Sequence, residues 1–544
     1  MFLKLFGSIA GTLAAYALYK IAGIAYQELS FPLRHLTGPK ANHKQLMRDM
    51  ANGAILEEQW ILQYGKTFKY PFFFGLSRIY TLDTKALNHI MTNHFIWQRP
   101  PYSIYFLSLI VGPGVLVTEG DRHRRQRKIM NPAFGPTQIK ELTSIFLQKS
   151  AEVRTSFSVV NSSQMRDIWL SQSTTDSMRV DVLSWLNKTT LDIIGLAGFD
   201  CTFNSLNSSQ PTELAAAFSA TMRATSALSL FDIVRAWFPV FRFIPTKFTT
   251  MTGISQATMQ RIGREIIGGT KAEMAENGGF GTGGGGRDLL SLLMRANTAK
   301  DVPESQRLSE EEVLAQVPTF LAAGHETTST GTTWALFALS QNIPAQTRLR
   351  AELLALDTDT PTMDELNALP YLDWVVRESL RLNPPVVSTG RVATQDDVIP
   401  LDTPWVDKNG VSHTTLPVRK GQQVIIPIMP MNRDKSIWGA DAAEFIPERW
   451  DSSISVPISN TIPGVWGQIL TFLGGPRACI GYRFAIIEMK CLLFTLIRAF
   501  EFELAVPVDD IGRKISVVQH PMLKSEPEMG AQMPLVVKPY IVRA

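Results

Sequence analysis

The residue with the most chemistry to offer is a cysteine near the C-terminus, in Phe472-Leu473-Gly474-Gly475-Pro476-Arg477-Ala478-Cys479-Ile480-Gly481. A largely apolar run over residues 484–497 follows, long enough for a buried helix. Cys479 is then expected at a helix N-terminus, where unpaired backbone N–H groups and the positive end of the dipole favour a thiolate. A thiolate is a soft ligand suited to iron. Gly475 and Gly481 remove side chains where a flat macrocycle would approach the backbone, and Arg477 can pair with a carboxylate on its rim. Cys491 and Cys201 read as packing residues, the first inside the apolar run, the second after Phe199-Asp200.

A second constellation lies upstream. Ser309 and Glu312 have the S-x-x-E spacing of a capping box and open a long apolar segment through Ala323-Gly324-His325-Glu326-Thr327-Thr328. An acid beside a hydroxyl within an apolar helix is costly unless it is used or satisfied. The bland alternative is a hydroxyl bonded back to its own helix turn. Pro318 predicts a bend one turn or more before the acid.

The cysteine stretch resembles the haem-binding signature F-x-x-G-x-R-x-C-x-G of the cytochrome P-450 superfamily at Phe472, Gly475, Arg477, Cys479 and Gly481. The upstream stretch is similar to the superfamily's oxygen-activating motif A/G-G-x-D/E-T-T/S. The resemblance implies haem b with Cys479 as the axial iron ligand. It also implies that Ala323 and Gly324 leave room for dioxygen, that Thr327 holds a water or reduced oxygen, and that Glu326 relays protons. His325 fills the variable position and receives no role.

Glu378-Ser379-Leu380-Arg381 alone is weak evidence, an i, i+3 pair on a helix face. With Tyr371-Leu372 before it and Asn383-Pro384-Pro385 after it, it resembles the superfamily's E-x-x-R helix. Phe445-Ile446-Pro447-Glu448-Arg449-Trp450 resembles the loop that completes a buried Glu-Arg-Arg network, so Glu378, Arg381 and Arg449 are expected to lock the fold. Arg391, following Pro385, falls where the family places a propionate-binding arginine. Gly120-Asp121-Arg122-His123-Arg124-Arg125-Gln126-Arg127 resembles the W-x-x-x-R helix, with Arg127 as its arginine and His123 in place of tryptophan. The imidazole N–H can still donate to a propionate. Otherwise the basic cluster at 122–128 reads as a solvated face or a patch for an acidic reductase.

These residues need elements to position them. The chain has 544 residues, of which 45% are hydrophobic, and a net charge of only +4, which excludes a disordered or collagen-like polymer. Three cysteines cannot build a disulfide framework, which favours a reducing compartment. The dispersed charge gives no nucleic-acid footprint. Apart from β-like runs at 67–74, 78–82, 391–428 and the C-terminus, the sequence reads as helical. The expected fold is therefore mainly α with small β-sheets: a cytochrome P-450 fold forming a single catalytic domain, residues 31–544, behind an N-terminal transmembrane helix within residues 1–30. The glycine-rich stretch 277–286 reads as a surface loop inside that domain.

Residues 5–26 are apolar or small except for Lys20, and at about 1.5 Å per residue they would span a hydrocarbon core of about 30 Å. A cleaved signal peptide competes, but no small-x-small site gives way to a polar start. Lys20, Arg34, His35, Lys40, His43 and Lys44 then place the catalytic domain in the cytosol, on the endoplasmic reticulum membrane. The sequons at Asn161, Asn187 and Asn207 should accordingly carry no glycan, which mass spectrometry of the purified chain checks.

The anchor and glycine-rich insertion look most like membrane-bound fungal members. With no dinucleotide fingerprint or flavin domain in the sequence, electrons are expected from NADPH through a separate cytochrome P-450 reductase, with cytochrome b5 as an optional second partner. Substrate contacts are expected from residues 101–115, the helix before Gly324, 386–389 and 517–520. Their apolar composition suggests an apolar small molecule, with a terpenoid-like secondary metabolite as the leading class. A haem-thiolate isomerase or dehydratase is the alternative enzyme, though such members commonly alter the acid-hydroxyl pair. A non-catalytic haem sensor would need neither Glu326 nor Thr327.

Overall fold

The β-like runs pair at the edge of a helical body in the computed structural model of the protein. The structure describes residues 32–40, 55–171, 178–206, 213–224, 228–276, 287–299, 302–453 and 462–540, with scattered positions between 11 and 29. Thr67–Pro71 and Ser77–Thr81 are antiparallel, and their sheet continues through Gln423–Pro427 and Ser388–Ala393 to the short strand Trp97–Gln98. Aromatic and β-branched residues suit such a half-buried pleat. Phe68 stacks on Tyr80 across the first pair, with ring centroids 4.5 Å apart. Three smaller sheets include the hairpin of Ile511–Ile515 with Gln519–Leu523, which leans on the helical body.

The body is organised around one helix, Gln316–Gln341, most of whose side chains are buried. It packs against Val182–Phe199, Pro370–Leu382 and Tyr482–Ala499. Its threonines are tolerated there because their hydroxyls return to their own helix: Thr332 donates to Thr328 O at 2.9 Å and Thr333 to Ser329 O at 2.8 Å. Thr190 Oγ1 reaches across from Val182–Phe199 to donate to His325 O at 3.1 Å.

The expected capping box forms, with Ser309 and Glu312 bonding reciprocally. It caps a short helix, Glu310–Leu314, and the central helix begins anew at Gln316. Pro318 thus falls in a first turn, where its missing N–H is no loss. The expected bend is realised as an interruption at Ala315.

No helix among the described residues is long and apolar enough to cross a membrane. The expected anchor at 5–26 lies largely outside those residues, as do His43, Lys44, Asn207 and the glycine-rich stretch 277–286.

Candidate active site

The loop that carries Cys479 is held by its backbone. Cys479 N–H donates to Phe472 O at 2.9 Å and Ala478 N–H to Gly475 O at 3.0 Å. Gly475 has φ +66°, and a Cβ there would lie 2.6 Å from Met91 O, so its missing side chain serves backbone packing. Gly481 is less crowded: a Cβ there would sit 3.8 Å from the Phe134 ring, which meets Phe320 of the central helix edge-on. Phe472 packs its ring near Trp466 and Tyr482.

Cys479 lies deep in the protein, yet its side chain is exposed, so the sulfur faces space enclosed by the fold. The expected helix-terminal thiolate is not favoured by the chain itself. Burial pushes the thiol pKa up, against a Gly481 backbone hydrogen bond and the charge of Arg127. The helix starts at Tyr482 with Gly481 as its cap, so Cys479 stands before the first turn. A bound metal would remove the thiol proton outright.

Beside the sulfur is a wall of cations. Arg127 Nη1 donates to Ala478 O at 2.9 Å, tying the basic helix Gly120–Met130 to the cysteine loop. Arg477 bonds Thr118 O at 2.6 Å and pairs with Glu119. Burial brings Arg477 down to about 10, and Arg99 and Arg127 add repulsion against the pull of Glu119. Burial likewise brings Arg391 down to about 9, with Arg99 and Arg477 facing it. His123, buried and surrounded by Arg477, Arg127, His94 and Arg99, falls to about 3 and is neutral. Arg99 is the member the sequence reading missed; it follows the buried Trp97 and matches no motif.

The remainder of the basic helix is partly a solvated face, with Arg122, Arg124 and Lys128 exposed, and partly engaged. Arg122 and Arg125 both donate to Glu312 at 2.8 Å, holding that carboxyl below its usual range although burial alone would raise it. Lys128 reaches Gln306 at 3.0 Å.

On the central helix, Ala323 is exposed, whereas the space expected at Gly324 is taken: a Cβ there would lie 2.9 Å from Ile194 Cδ1. Thr327 Oγ1 donates to Ala323 O at 2.7 Å. Glu326 Oε1 lies 3.0 Å from His520 Nε2, a partner the sequence reading treated only as part of the apolar 517–520 segment.

Glu378 and Arg381 are wholly buried and doubly bonded, at 2.8 and 2.7 Å. Arg381 also donates to Asn432 O and Ala442 O, while Glu378 accepts from Ile446 N–H and Trp450 Nε1. Arg449 stands 3.5 Å from Glu378 and is held by Trp438 O and Asp441. The three residues come together as the sequence resemblance implies, with Trp450 as an added member.

A helical body with small edge sheets that sets a deep cysteine beside a wall of arginines is the build of a haem-binding oxidoreductase. The model of the family Cytochrome P-450 matches residues 64–524, and the chain belongs to that family. It is 48% identical to cytochrome P-450 monooxygenase 128 of Postia placenta over 97% of both chains. It is 46% identical to monooxygenase 205 of the same fungus, over 97% of this chain and 96% of that one. Cytochrome P-450 monooxygenase claP of Ampulloclitocybe clavipes shares 37% identity over 89% of this chain and 88% of its own. The protein is accordingly a monooxygenase of this family.

The family implies haem iron, and the residues present fit it. His123 Nδ1 and Arg99 Nε are buried without a hydrogen-bond partner. Both belong to a cluster in which Glu119 is the one carboxylate acting on Arg99, Arg391 and Arg477. Donors in excess of acceptors suit a group that brings carboxylates of its own.

Proposed function

We propose that the chain is a haem-thiolate monooxygenase that inserts one oxygen atom of dioxygen into a C–H or C=C bond of an apolar small molecule. The observation that carries this reading is the deep, inward-facing sulfur of Cys479 beside a cluster of buried arginines short of acceptors. Haem, when bound, supplies the redox chemistry of dioxygen, and a thiolate ligand donates electron density toward O–O cleavage. Cys479 would hold the iron. Arg99, His123, Arg127, Arg391 and Arg477 would hold the propionates, with Phe472, Gly475 and Gly481 shaping the loop beneath.

Thr327 donates its own proton to Ala323 O, which leaves the hydroxyl oxygen with lone pairs to accept a hydrogen bond from water. Glu326, one residue away, is the acid placed to pass protons to that water. Ala323 is where the helix leaves room. Apolar side chains of the helix Pro101–Val111, with Phe320 and Val386, would exclude bulk water and receive an apolar guest, a terpenoid-like secondary metabolite being the class that suits them best.

Electrons would come from NADPH through a separate reductase, with cytochrome b5 as an optional second partner, and residues 5–26 would anchor the domain on the cytosolic face of the endoplasmic reticulum membrane. Exposed Leu18, Tyr19, Tyr26 and Leu29 support a lipid-facing N-terminus. The Asn187 sequon also speaks for a chain without glycans, since Asn187 Oδ1 accepts from Ser329 on the central helix at 2.5 Å.

Co-expression with a reductase under isotopically heavy dioxygen tests the reading through metabolite profiles. One heavy oxygen atom per product, dependent on the reductase, is expected. An unlabelled product formed without reductase would establish the isomerase or dehydratase alternative instead.

A further inference from the structure

His520 sits on the strand Gln519–Leu523, far in sequence from the central helix, yet its imidazole bridges two positions one turn apart on that helix. Nε2 lies 3.0 Å from Glu326 Oε1 and Nδ1 lies 3.3 Å from Thr330 Oγ1. With both ring nitrogens engaged, the ring has little freedom to turn. The strand is itself pinned. Gln519 N–H donates to Pro385 O at 2.7 Å, and Arg513 holds Gln519 Oε1 at 3.1 Å and Asn383 Oδ1 at 2.7 Å.

We propose that His520 is the positioning residue of the central-helix acid: through its bond to Glu326 it fixes the rotamer and the charge of that carboxylate beside Thr327. The proposal rests on the reading of Glu326 as a proton relay. A buried carboxylate left alone takes up a proton and seeks another rotamer. Burial pushes Glu326 upward, but the hydrogen bond and charge of His520, with His325 behind them, prevail and hold it below the usual carboxylate range.

The other titratable groups on these elements are otherwise occupied. Burial brings His325 down to about 4, so it is neutral near pH 7. Glu488, on Tyr482–Ala499, faces Thr328 and is pushed well above its ordinary value by burial. Arg513 is spent on Gln519 and Asn383 and lies over the Trp334 ring at 4.5 Å. Among the described residues, His520 is the titratable group that hydrogen-bonds Glu326.

The test begins with the imidazole ring resonances of His520, observed by NMR in the reduced, carbon monoxide-bound holoenzyme, whose low-spin iron is diamagnetic. Glu326→Gln removes the carboxylate that His520 Nε2 faces at 3.0 Å and should shift the imidazole ring resonances; unmoved resonances overturn the proposal. The second readout is hydrogen peroxide released per NADPH oxidised, with the substrate that takes up labelled oxygen. His520→Phe should raise it several-fold and His520→Gln, which keeps a donor, should raise it less. Adding His520→Phe to Glu326→Gln should change nothing further. A His520→Phe enzyme that couples like the wild type, or an equal rise in the Glu326→Gln background, would refute the assignment. If Glu326→Gln and Thr327→Ala leave the peroxide yield unchanged while the His520 resonances move, the relay reading fails and the His520–Glu326 contact stands.

Discussion

Exchanging Cys479 for serine removes the red-shifted Soret band that a thiolate-bound haem shows in the reduced, carbon monoxide-treated protein, and with it reductase-dependent oxygen insertion. The substitution is close to isosteric, and the contacts that shape the loop are made by backbone: Cys479 N–H to Phe472 O, and Arg127 to Ala478 O. The variant should therefore keep the helical content of the parent by circular dichroism. What changes is the donor atom. Burial raises the Cys479 pKa against the Gly481 backbone hydrogen bond and the charge of Arg127, and a bound metal would remove the thiol proton. A serine hydroxyl is harder and far less acidic, and it cannot make that exchange on the same terms. A histidine-type band in the wild-type protein would refute the ligand assignment.

The second large effect is expected at the buried charges of Pro370–Leu382. Glu378→Gln should cost about 3–5 kcal/mol, because it leaves Arg381 as a buried cation without its carboxylate. Arg381→Met strands Glu378 in the same way, with Ile446, Arg449 and Trp450 still gathered about it. Haem content per polypeptide and the unfolding midpoint measure the loss, and both should fall together. The paired variant Glu378→Met with Arg381→Met separates charge from shape. It should be milder than the sum of its parts, since it leaves no lone charge behind. Full haem content with slowed turnover in Glu378→Gln would instead make the residue catalytic.

Features written in consecutive residues were the legible ones. The cysteine loop, the helix after it, the capping box and the E-x-x-R pair all appear where short spacing places them. Arg99, Glu119 and His520 escaped because they acquire meaning only through partners far along the chain, and nothing local distinguishes them from any surface or lining residue. Glycine is ambiguous for a related reason. An absent side chain signals either open space or a close neighbour, and at Gly475 and Gly324 the neighbours are Met91 O and Ile194. Cys479 lies just before the helix that begins at Tyr482, and a backbone hydrogen bond at Gly481 acts toward the thiolate there.

The place of Glu119 among so many guanidinium groups bears on the stability of the folded chain. Arg99, Arg391 and Arg477 repel one another in a region shielded from water, and among the described residues Glu119 is the carboxylate that draws on all three. A group bringing acid groups of its own would relieve that repulsion, and whatever binds the folded form shifts the balance toward it. The folded chain without that group should accordingly be less stable than with it, which the unfolding midpoint of the two forms measures.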